Sequence, residues 1–187
     1  MYAMSAQRNK IHPHKYSLWI AMGSITMMFI GFTSAYIVKR AQANWRVFEL
    51  PKIFWLSTVV ILLSSVTIQL AVHQFKQRQM IRYRQLITLT AFLGVVFAAL
   101  QLYGFSDMAA HGLKLDGAVS VSFIYVIVAM HILHVLGGVV ALLVMFFRAF
   151  RKNVKVYSPV GIEVAATYWH FVDALWIYLL IFLSVAR

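Results

Sequence analysis

The stretch "EVAATYWHFVDALWIYLLIFLSVA", Glu163 to Ala186, determines the fold class, because it places a few polar groups in a run that is otherwise apolar. As a helix it is long enough to cross a bilayer, which takes about 20 residues at about 1.5 Å of rise per residue. Lipid tolerates only helices and closed barrels, and the alternating pattern of a barrel strand is missing. The stretch therefore predicts a transmembrane helix.

Four more stretches share this length and apolar character. Hydrophobic residues make up 62% of the 187 residues and charged residues only 12%, a balance that excludes an ordinary soluble domain. We predict an all-α membrane bundle forming a single domain over residues 1–187, since no linker, repeat or soluble insertion interrupts the chain. The predicted helices cover residues 16–38, 53–73, 86–106, 118–147 and 163–186.

The positive charge of the chain predicts its orientation. Seventeen Lys and Arg against five Asp and Glu give a net charge of +12. These basic residues lie between the predicted helices, so we expect no nucleic-acid partner. Most of them fall in the amino-terminal tail and in the second and third connections, although the first connection is also basic. The distribution predicts an amino terminus inside and a carboxyl terminus outside.

The first apolar run is longer than the hydrophobic part of a signal peptide, and Lys39 and Arg40 follow it in place of a small-residue cleavage site. We therefore expect this helix to remain as an anchor. The chain is predicted to be an integral protein of the bacterial cytoplasmic membrane. It has no cysteine, which excludes disulfides, a thiolate nucleophile and iron-sulfur ligation.

Four ionisable residues fall at bilayer depth, away from the ends of the predicted helices. Each costs roughly 2.5 to 3.5 kcal/mol at bilayer depth on insertion scales, so such groups usually have partners. His131 and His134 lie one turn apart on the fourth helix, and His170 and Asp173 one turn apart on the fifth. Counting from the inner ends of the two helices places Asp173 within a turn of His134. We predict that Asp173 pairs with His134 or with His170.

The neighbours of these residues also have an expected role. Trp169 and Trp176 lie too deep for an interfacial belt, so helix packing is favoured over stacking on a ligand. Gly138, on the face of His134, lets a neighbouring helix approach closely. Glu163 lies in the first turn of its helix, where the dipole favours a carboxylate. We expect a basic neighbour from another loop to hold Glu163, in preference to a role in proton entry.

The alternative to a structural role for the three membrane histidines is a metal or haem site. Such a site needs histidines aimed at one point, whereas an i, i+3 pair fixed by an aspartate is as easily a structural clamp. Cysteine ligands are absent, and no partner histidine lies beside the methionine cluster near Met22, Met27 and Met28. We therefore predict no catalytic residue, metal or cofactor in this chain. A membrane enzyme or proton carrier that uses the histidines and Asp173 remains the alternative.

Two motifs carry a resemblance to a known family. "TYWHFVDALW", Thr167 to Trp176, preceded by Glu163, and "HILHVLGG", His131 to Gly138, together resemble subunit III of the haem-copper oxidases, and most closely cytochrome c oxidase subunit III. The resemblance reaches from about Tyr16 to the end of the chain. The matching positions are Glu163, Trp169, His170, Phe171, Asp173 and Trp176 in the last helix, and His131, His134, Val135 and Gly138 in the preceding one.

The chain departs from the family pattern in two ways. The family usually has seven helices and a lipid-holding cleft between the first two and the others, whereas five are predicted here. Either the cleft is missing or another subunit supplies its second wall. In addition, Ile25 replaces the family's glutamate in the middle of the first helix, so a proton-related role of that carboxylate is not expected.

The resemblance implies a subunit without a redox centre in a proton-pumping terminal oxidase of a respiratory electron-transport chain. Its expected partners are catalytic subunit I and other oxidase subunits, which would carry the haem and copper. The resemblance and the basic loops together predict bound phospholipid, with headgroups near Arg78, Arg82, Arg148 and Arg151 at the inner rim. The alternatives are an accessory subunit of a nitric oxide reductase and subunit III of a quinol oxidase.

Overall fold

A computed structural model of the chain describes residues 13–40, 51–112, 119–150 and 159–186. Each of these segments is mainly helical, and the part of the chain so described contains no strand. All five helices are long and apolar enough to cross a membrane, which confirms the predicted all-α membrane bundle. In chain order the helices are α1 (Pro13–Lys39), α2 (Ile53–Lys76), α3 (Met80–Ala110), α4 (Val119–Phe150) and α5 (Val160–Val185).

Several helices extend beyond their predicted ends. The largest difference is at α3, which begins at Met80 and not near residue 86. The basic connection between α2 and α3 is therefore only a short turn, Gln77 to Gln79, in which Arg78 has a positive φ of 59°. Charged residues can continue a helix outside the bilayer. Hydropathy consequently marks the edge of the membrane and not the end of the helix.

The fifth helix holds the bundle together. α5 packs against α1, α2 and α4, while α3 packs against α2 and α4. The most extensive helix pair is α2 with α3, which follow each other directly along the chain. Across the residues described, α1 contacts α4 and α5 but neither α2 nor α3. A groove therefore runs between α1 and α2 over the surface of α5.

Large aromatic side chains fill the centre of the bundle. Trp169 and Trp176 of α5 are almost completely buried, as are Phe54 of α2 and Phe97 of α3. The outer faces are also apolar, with exposed side chains such as Trp55. An apolar surface of this kind faces lipid in a membrane protein, so packing and polar contacts must hold the helices together.

Candidate functional site

Trp169 anchors α5 to three other helices. Its indole Nε1 donates a hydrogen bond to Ser64 Oγ of α2 at 2.9 Å. The ring lies on two glycines: a Cβ added at Gly94 of α3 would come within 2.5 Å of it, and one at Gly138 of α4 within 3.0 Å. Only glycine leaves room for the indole at Gly94. The geometry fits the packing roles predicted for Trp169 and Gly138, while Gly94 was not singled out from the sequence.

Trp176 repeats this arrangement two turns further along α5. Its indole Nε1 donates to Thr58 Oγ1 of α2 at 2.9 Å. Its ring stacks on His131 of α4, with ring centroids 5.2 Å apart and planes inclined by 28°. The edges of Phe54 and Phe97 meet the same indole at 6.0 and 5.2 Å between centroids. Trp176 therefore contacts α2, α3 and α4 at once.

The two histidines of α4 lie among aromatic rings. His131 is completely buried, and neither of its ring nitrogens has a hydrogen-bond partner among the described residues. His134 Nδ1 lies 2.7 Å from the carbonyl oxygen of Met130, one turn earlier in the same helix. A carbonyl only accepts, so His134 Nδ1 carries the proton. Phe29 of α1 meets both rings edge-on, at 6.3 Å from His131 and 5.8 Å from His134.

His170 faces α2. Its Nε2 lies 3.2 Å from Gln69 Oε1, and its Nδ1 lies 2.6 Å from Ser65 Oγ. An amide oxygen accepts, so Nε2 donates to Gln69 and Nδ1 is left to accept from the Ser65 hydroxyl. This pair of bonds fixes the ring of His170 between α5 and α2. No sequence pattern had indicated Ser65 or Gln69 as its partners.

The predicted pair between Asp173 and a histidine is not formed. Asp173 is only 3% exposed, and neither carboxyl oxygen is in hydrogen-bond geometry with a partner in the described part of the chain, although the Ser65 side chain of α2 interacts with the carboxyl. The two predicted partners are engaged elsewhere, since His134 bonds its own helix backbone and His170 bonds Ser65. Sequence spacing predicted that Asp173 and the histidines lie at similar depth. It did not predict which group each histidine ring faces: Met130 O for His134, and Ser65 and Gln69 for His170.

Glu163 joins three helices at one end of the bundle. Its Oε2 lies 2.8 Å from Lys15 Nζ of α1, and its Oε1 lies 2.9 Å from Lys76 Nζ of α2. The expected basic neighbour is therefore present twice. Both lysines belong to helix ends and not to loops, because α1 and α2 extend further than hydropathy predicts.

Other polar contacts between helices were missed from the sequence. Gln101 Nε2 of α3 donates to Ser57 Oγ of α2 at 2.7 Å. The hydroxyls of Thr67 and Thr90 lie 2.8 Å apart across the same pair of helices. The sequence of α2 does contain a pattern that indicates such contacts. Small hydroxyl residues recur at helical spacing along its buried face. The residues of this face include Ser57, Ile61, Ser64 and Ile68.

The arrangement joins helices and offers no clear site for metal chemistry. Within the described ranges, no group of three or more His, Cys, Asp or Glu side chains could hold a metal ion. Trp176 and Phe29 contact His131, whereas His170 bonds Ser65 on another helix. The histidines that the sequence singled out therefore do not converge on one point.

The arginines predicted to contact lipid lie at the surface where they are described. Arg78 is exposed in the turn between α2 and α3, Arg82 is exposed in the first turn of α3, and Arg148 is exposed in the last turn of α4. Arg82 borders a shallow groove of about 340 Å³ that is also lined by Gln85. Arg151 lies outside the described residues.

The sequence model of the family "Cytochrome c oxidase subunit III" matches residues 15–185. Cytochrome c oxidase subunit 3 of Bacillus sp. (strain PS3) is 26% identical over 166 residues, covering 86% of this chain and 80% of the relative. The same subunit of Corynebacterium diphtheriae is 28% identical over 163 residues, covering 83% and 79%. That of Pisaster ochraceus is 36% identical over 126 residues, covering 67% and 47%. The chain therefore belongs to the cytochrome c oxidase subunit III family.

Proposed function

We propose that this haem-copper oxidase subunit III is a non-catalytic subunit that stabilises the catalytic subunit of a proton-pumping terminal oxidase of the cytochrome c oxidase type. Its five membrane-length helices and bacterial relatives identify an integral protein of a bacterial membrane. One observation carries the proposal: three polar side chains of the family motif in α5 bond another helix of the same chain. Trp169, Trp176 and His170 all bond hydroxyl groups of α2.

The proposed partners are catalytic subunit I and the other subunits of the oxidase, which hold the haem and copper. The names of the relatives support this, since each is a subunit of a cytochrome c oxidase. In this chain the cluster of His131, His134, Glu163, Trp169, His170, Asp173 and Trp176 would have a structural role. Its contribution is to keep α5 in register with α2 and α4, so that the outer faces of the bundle present a fixed surface to the partner.

Phospholipid binding at the basic rim is a further part of the proposal. The exposure of Arg78, Arg82 and Arg148 supports it, as does the groove beside Arg82. Each basic residue near an anionic membrane surface gains on the order of 1 kcal/mol. Arg151 is included because the basic connection after α4 contains it.

Mild detergent extraction of a tagged full-length chain tests the proposed assembly. We expect the chain to carry along a catalytic subunit whose absorption spectrum shows haem and whose metal content includes copper. After the subunits are separated, both should stay with the catalytic subunit. Haem or copper that remained on this chain would contradict the proposal. A copper-free partner that reduces nitric oxide would favour the nitric oxide reductase alternative, and oxidation of quinol would favour the quinol oxidase.

A further inference from the structure

One hydroxyl group, that of Ser65 in α2, lies between two ionisable side chains of α5. Its Oγ is 2.6 Å from His170 Nδ1, and the same side chain interacts with the carboxyl of Asp173. In the part of the chain that the structure describes, Asp173 and His170 do not bond each other directly. Ser65 therefore connects them. A hydroxyl has a single hydrogen to donate, so its direction determines how protons are distributed over all three groups.

The hydrogen of Ser65 points to His170. His170 Nε2 donates to Gln69 Oε1 at 3.2 Å, because an amide oxygen only accepts. A neutral imidazole has one N–H, so Nδ1 carries a lone pair. The contact of 2.6 Å at Nδ1 then requires the Ser65 hydroxyl as its donor. Ser65 has no second hydrogen, and it can offer Asp173 only an acceptor.

Asp173 must therefore supply the hydrogen in its contact with Ser65. Neither carboxyl oxygen of Asp173 receives a hydrogen bond from a described residue. An ionised carboxylate only accepts, so it would face the lone pairs of the Ser65 oxygen without a donor. A protonated carboxyl has an O–H that it can donate to Ser65. Asp173 is also only 3% exposed, and an isolated charge at this depth is costly. Both arguments indicate a neutral Asp173.

The surroundings provide no charge that would keep Asp173 ionised. Glu163, the other acid of α5, is held by two lysines at the end of the helix. Asp173 follows it by ten residues and so lies about 15 Å deeper. Across the described ranges no cation bonds Asp173, and both bonds of His170 go to uncharged side chains of α2. From α4, His134 donates to a backbone carbonyl of its own helix.

We propose that Asp173, Ser65 and His170 form a proton-binding site, which holds one proton between two ionisable groups at bilayer depth. In the resting form Asp173 is a neutral acid that donates to Ser65, Ser65 donates to His170, and His170 donates to Gln69. Asp173 is thus a positioning residue for the bond between Ser65 and His170. The site does not depend on which oxidase the chain joins.

The proton of this site can change its position without leaving the chain. Asp173 gives its hydrogen to Ser65 Oγ while the Ser65 hydroxyl hydrogen passes to His170 Nδ1. The products are a carboxylate and an imidazolium, so the total charge is unchanged. Because His170 lines the groove between α1 and α2, the transfer brings positive charge to the edge of that groove.

Infrared spectroscopy of the full-length chain in mild detergent at neutral pH tests the site. A neutral carboxylic acid has a carbonyl band above the amide bands, and a carboxylate has none there. We expect the wild-type chain to show this acid band and Asp173→Asn to lose it. Glu163→Gln is the matched control, because it removes the other acid of α5 and should leave the band intact. Ser65→Ala should shift the band to higher frequency, since the acid O–H loses its acceptor.

Each outcome bears on the proton-binding site. A wild-type spectrum without an acid band would overturn the proposal without any variant, so a misfolded variant cannot hide a failure. A band that survives Asp173→Asn would belong to another carboxyl and would overturn it as well. An unshifted band in Ser65→Ala would remove Ser65 from the site. Nitrogen NMR of labelled histidine gives a second readout. A proton on His170 Nε2 alone would support the resting form, and protons on both nitrogens would contradict it.

Discussion

Single side chains of α5 reach three neighbouring helices, and they do so by different chemistry. Trp169 fits against Gly94 and Gly138 and donates one hydrogen bond to α2. His170 bonds two polar groups of α2, whereas neither oxygen of the buried Asp173 carboxyl is in hydrogen-bond geometry with a residue described, although Ser65 interacts with it. The two tryptophans therefore hold α5 through close packing and one hydrogen bond each. The Asp173 carboxyl forms no hydrogen bond by the same geometric standard.

Gly94→Ala should destabilise the chain. The added Cβ would lie 2.5 Å from the ring of Trp169 and 2.9 Å from Val139, so the packed indole must move. Overpacking of this kind costs typically about 1–3 kcal/mol. Thermal unfolding in detergent measures the loss. Gly31→Ala is the control, because a Cβ at Gly31 meets nothing within 4 Å. Equal unfolding temperatures for the two variants would contradict the packing described for Trp169.

Asp173→Asn tests whether the buried carboxyl of Asp173 contributes to the stability of the bundle. Because the predicted clamp to a histidine is not formed, we expect this change to alter the free energy of unfolding by less than about 1 kcal/mol. Haem spectra of the assembled complex should stay unchanged. Ser64→Ala provides the contrast, since it leaves the buried Trp169 Nε1 without its acceptor at a cost of about 1–3 kcal/mol. A complex that assembles fully with Asp173→Asn but no longer reduces oxygen would give Asp173 a role in the chemistry.

At the scale of elements, α2 is the helix on which α3 and α5 are aligned. Small hydroxyl residues on its buried face accept hydrogen bonds from α3 and α5, including Ser57 from Gln101 and Ser64 from Trp169. Small side chains also allow close approach of neighbouring helices in a membrane. Alignment of the helices thus depends on a few polar contacts spread along one apolar surface.

The contact between α2 and α3 gives a prediction with an internal control. Ser57→Ala leaves the buried Gln101 amide without its partner, which should cost about 1–3 kcal/mol of unfolding free energy. Adding Gln101→Leu removes the stranded amide, so the double variant should recover most of that loss. Thermal unfolding of both variants in the same detergent measures the difference. A double variant less stable than Ser57→Ala would show that Gln101 has a role beyond this bond.

The number and type of the helices could be predicted because the bilayer sets a minimum length of apolar chain. Their ends could not, since the start of α3 at Met80 lies outside the apolar run and depends on local turn geometry around Arg78. The partner of Asp173 was predicted wrongly for a related reason. Depth and helical face locate a side chain to within about a turn, about 5 Å, whereas a hydrogen bond requires about 3 Å.

Parts of the site followed from the sequence because their residue types have few alternatives in a membrane. Basic neighbours of Glu163 were expected, and Lys15 and Lys76 lie beside it. The hydrogen-bond acceptors of the two tryptophans were not expected from the sequence. Serine and threonine are common in membrane helices, and their spacing alone does not identify a partner. Ser64 and Thr58 could be found only once α2 and α5 were seen side by side.

For the whole molecule, the orientation in the membrane is still a prediction. Lys15 and Lys76 lie at the end of the bundle where α1 begins, α2 ends and α5 begins. Arg78, in the adjoining turn, and Arg82, in the first turn of α3, lie beside them. Positive charge of this kind is retained on the cytoplasmic side. The chain contains no cysteine, so a single introduced cysteine is the only residue in it that a thiol reagent can label.

Arg78→Cys and Ala110→Cys make the test, since both positions are exposed and lie at opposite ends of α3. An impermeant thiol reagent added to intact cells should label Ala110→Cys alone. After the membrane is opened, both variants should be labelled. Labelling of Arg78→Cys in intact cells would reverse the predicted orientation and move the basic rim to the outside.

The restricted contacts of α1 also have a consequence for biosynthesis. Along its described length α1 packs only against α4 and α5, which the ribosome makes last. Of the five helices, α1 is made first, and it cannot complete its described contacts until α4 and α5 have been inserted. By contrast, α2 and α3 can pair as soon as both have emerged, because only a short turn separates them. We therefore expect the docking of α1 to be completed only after α4 and α5 have been inserted, and interruption of synthesis before α4 to leave α1 without either partner.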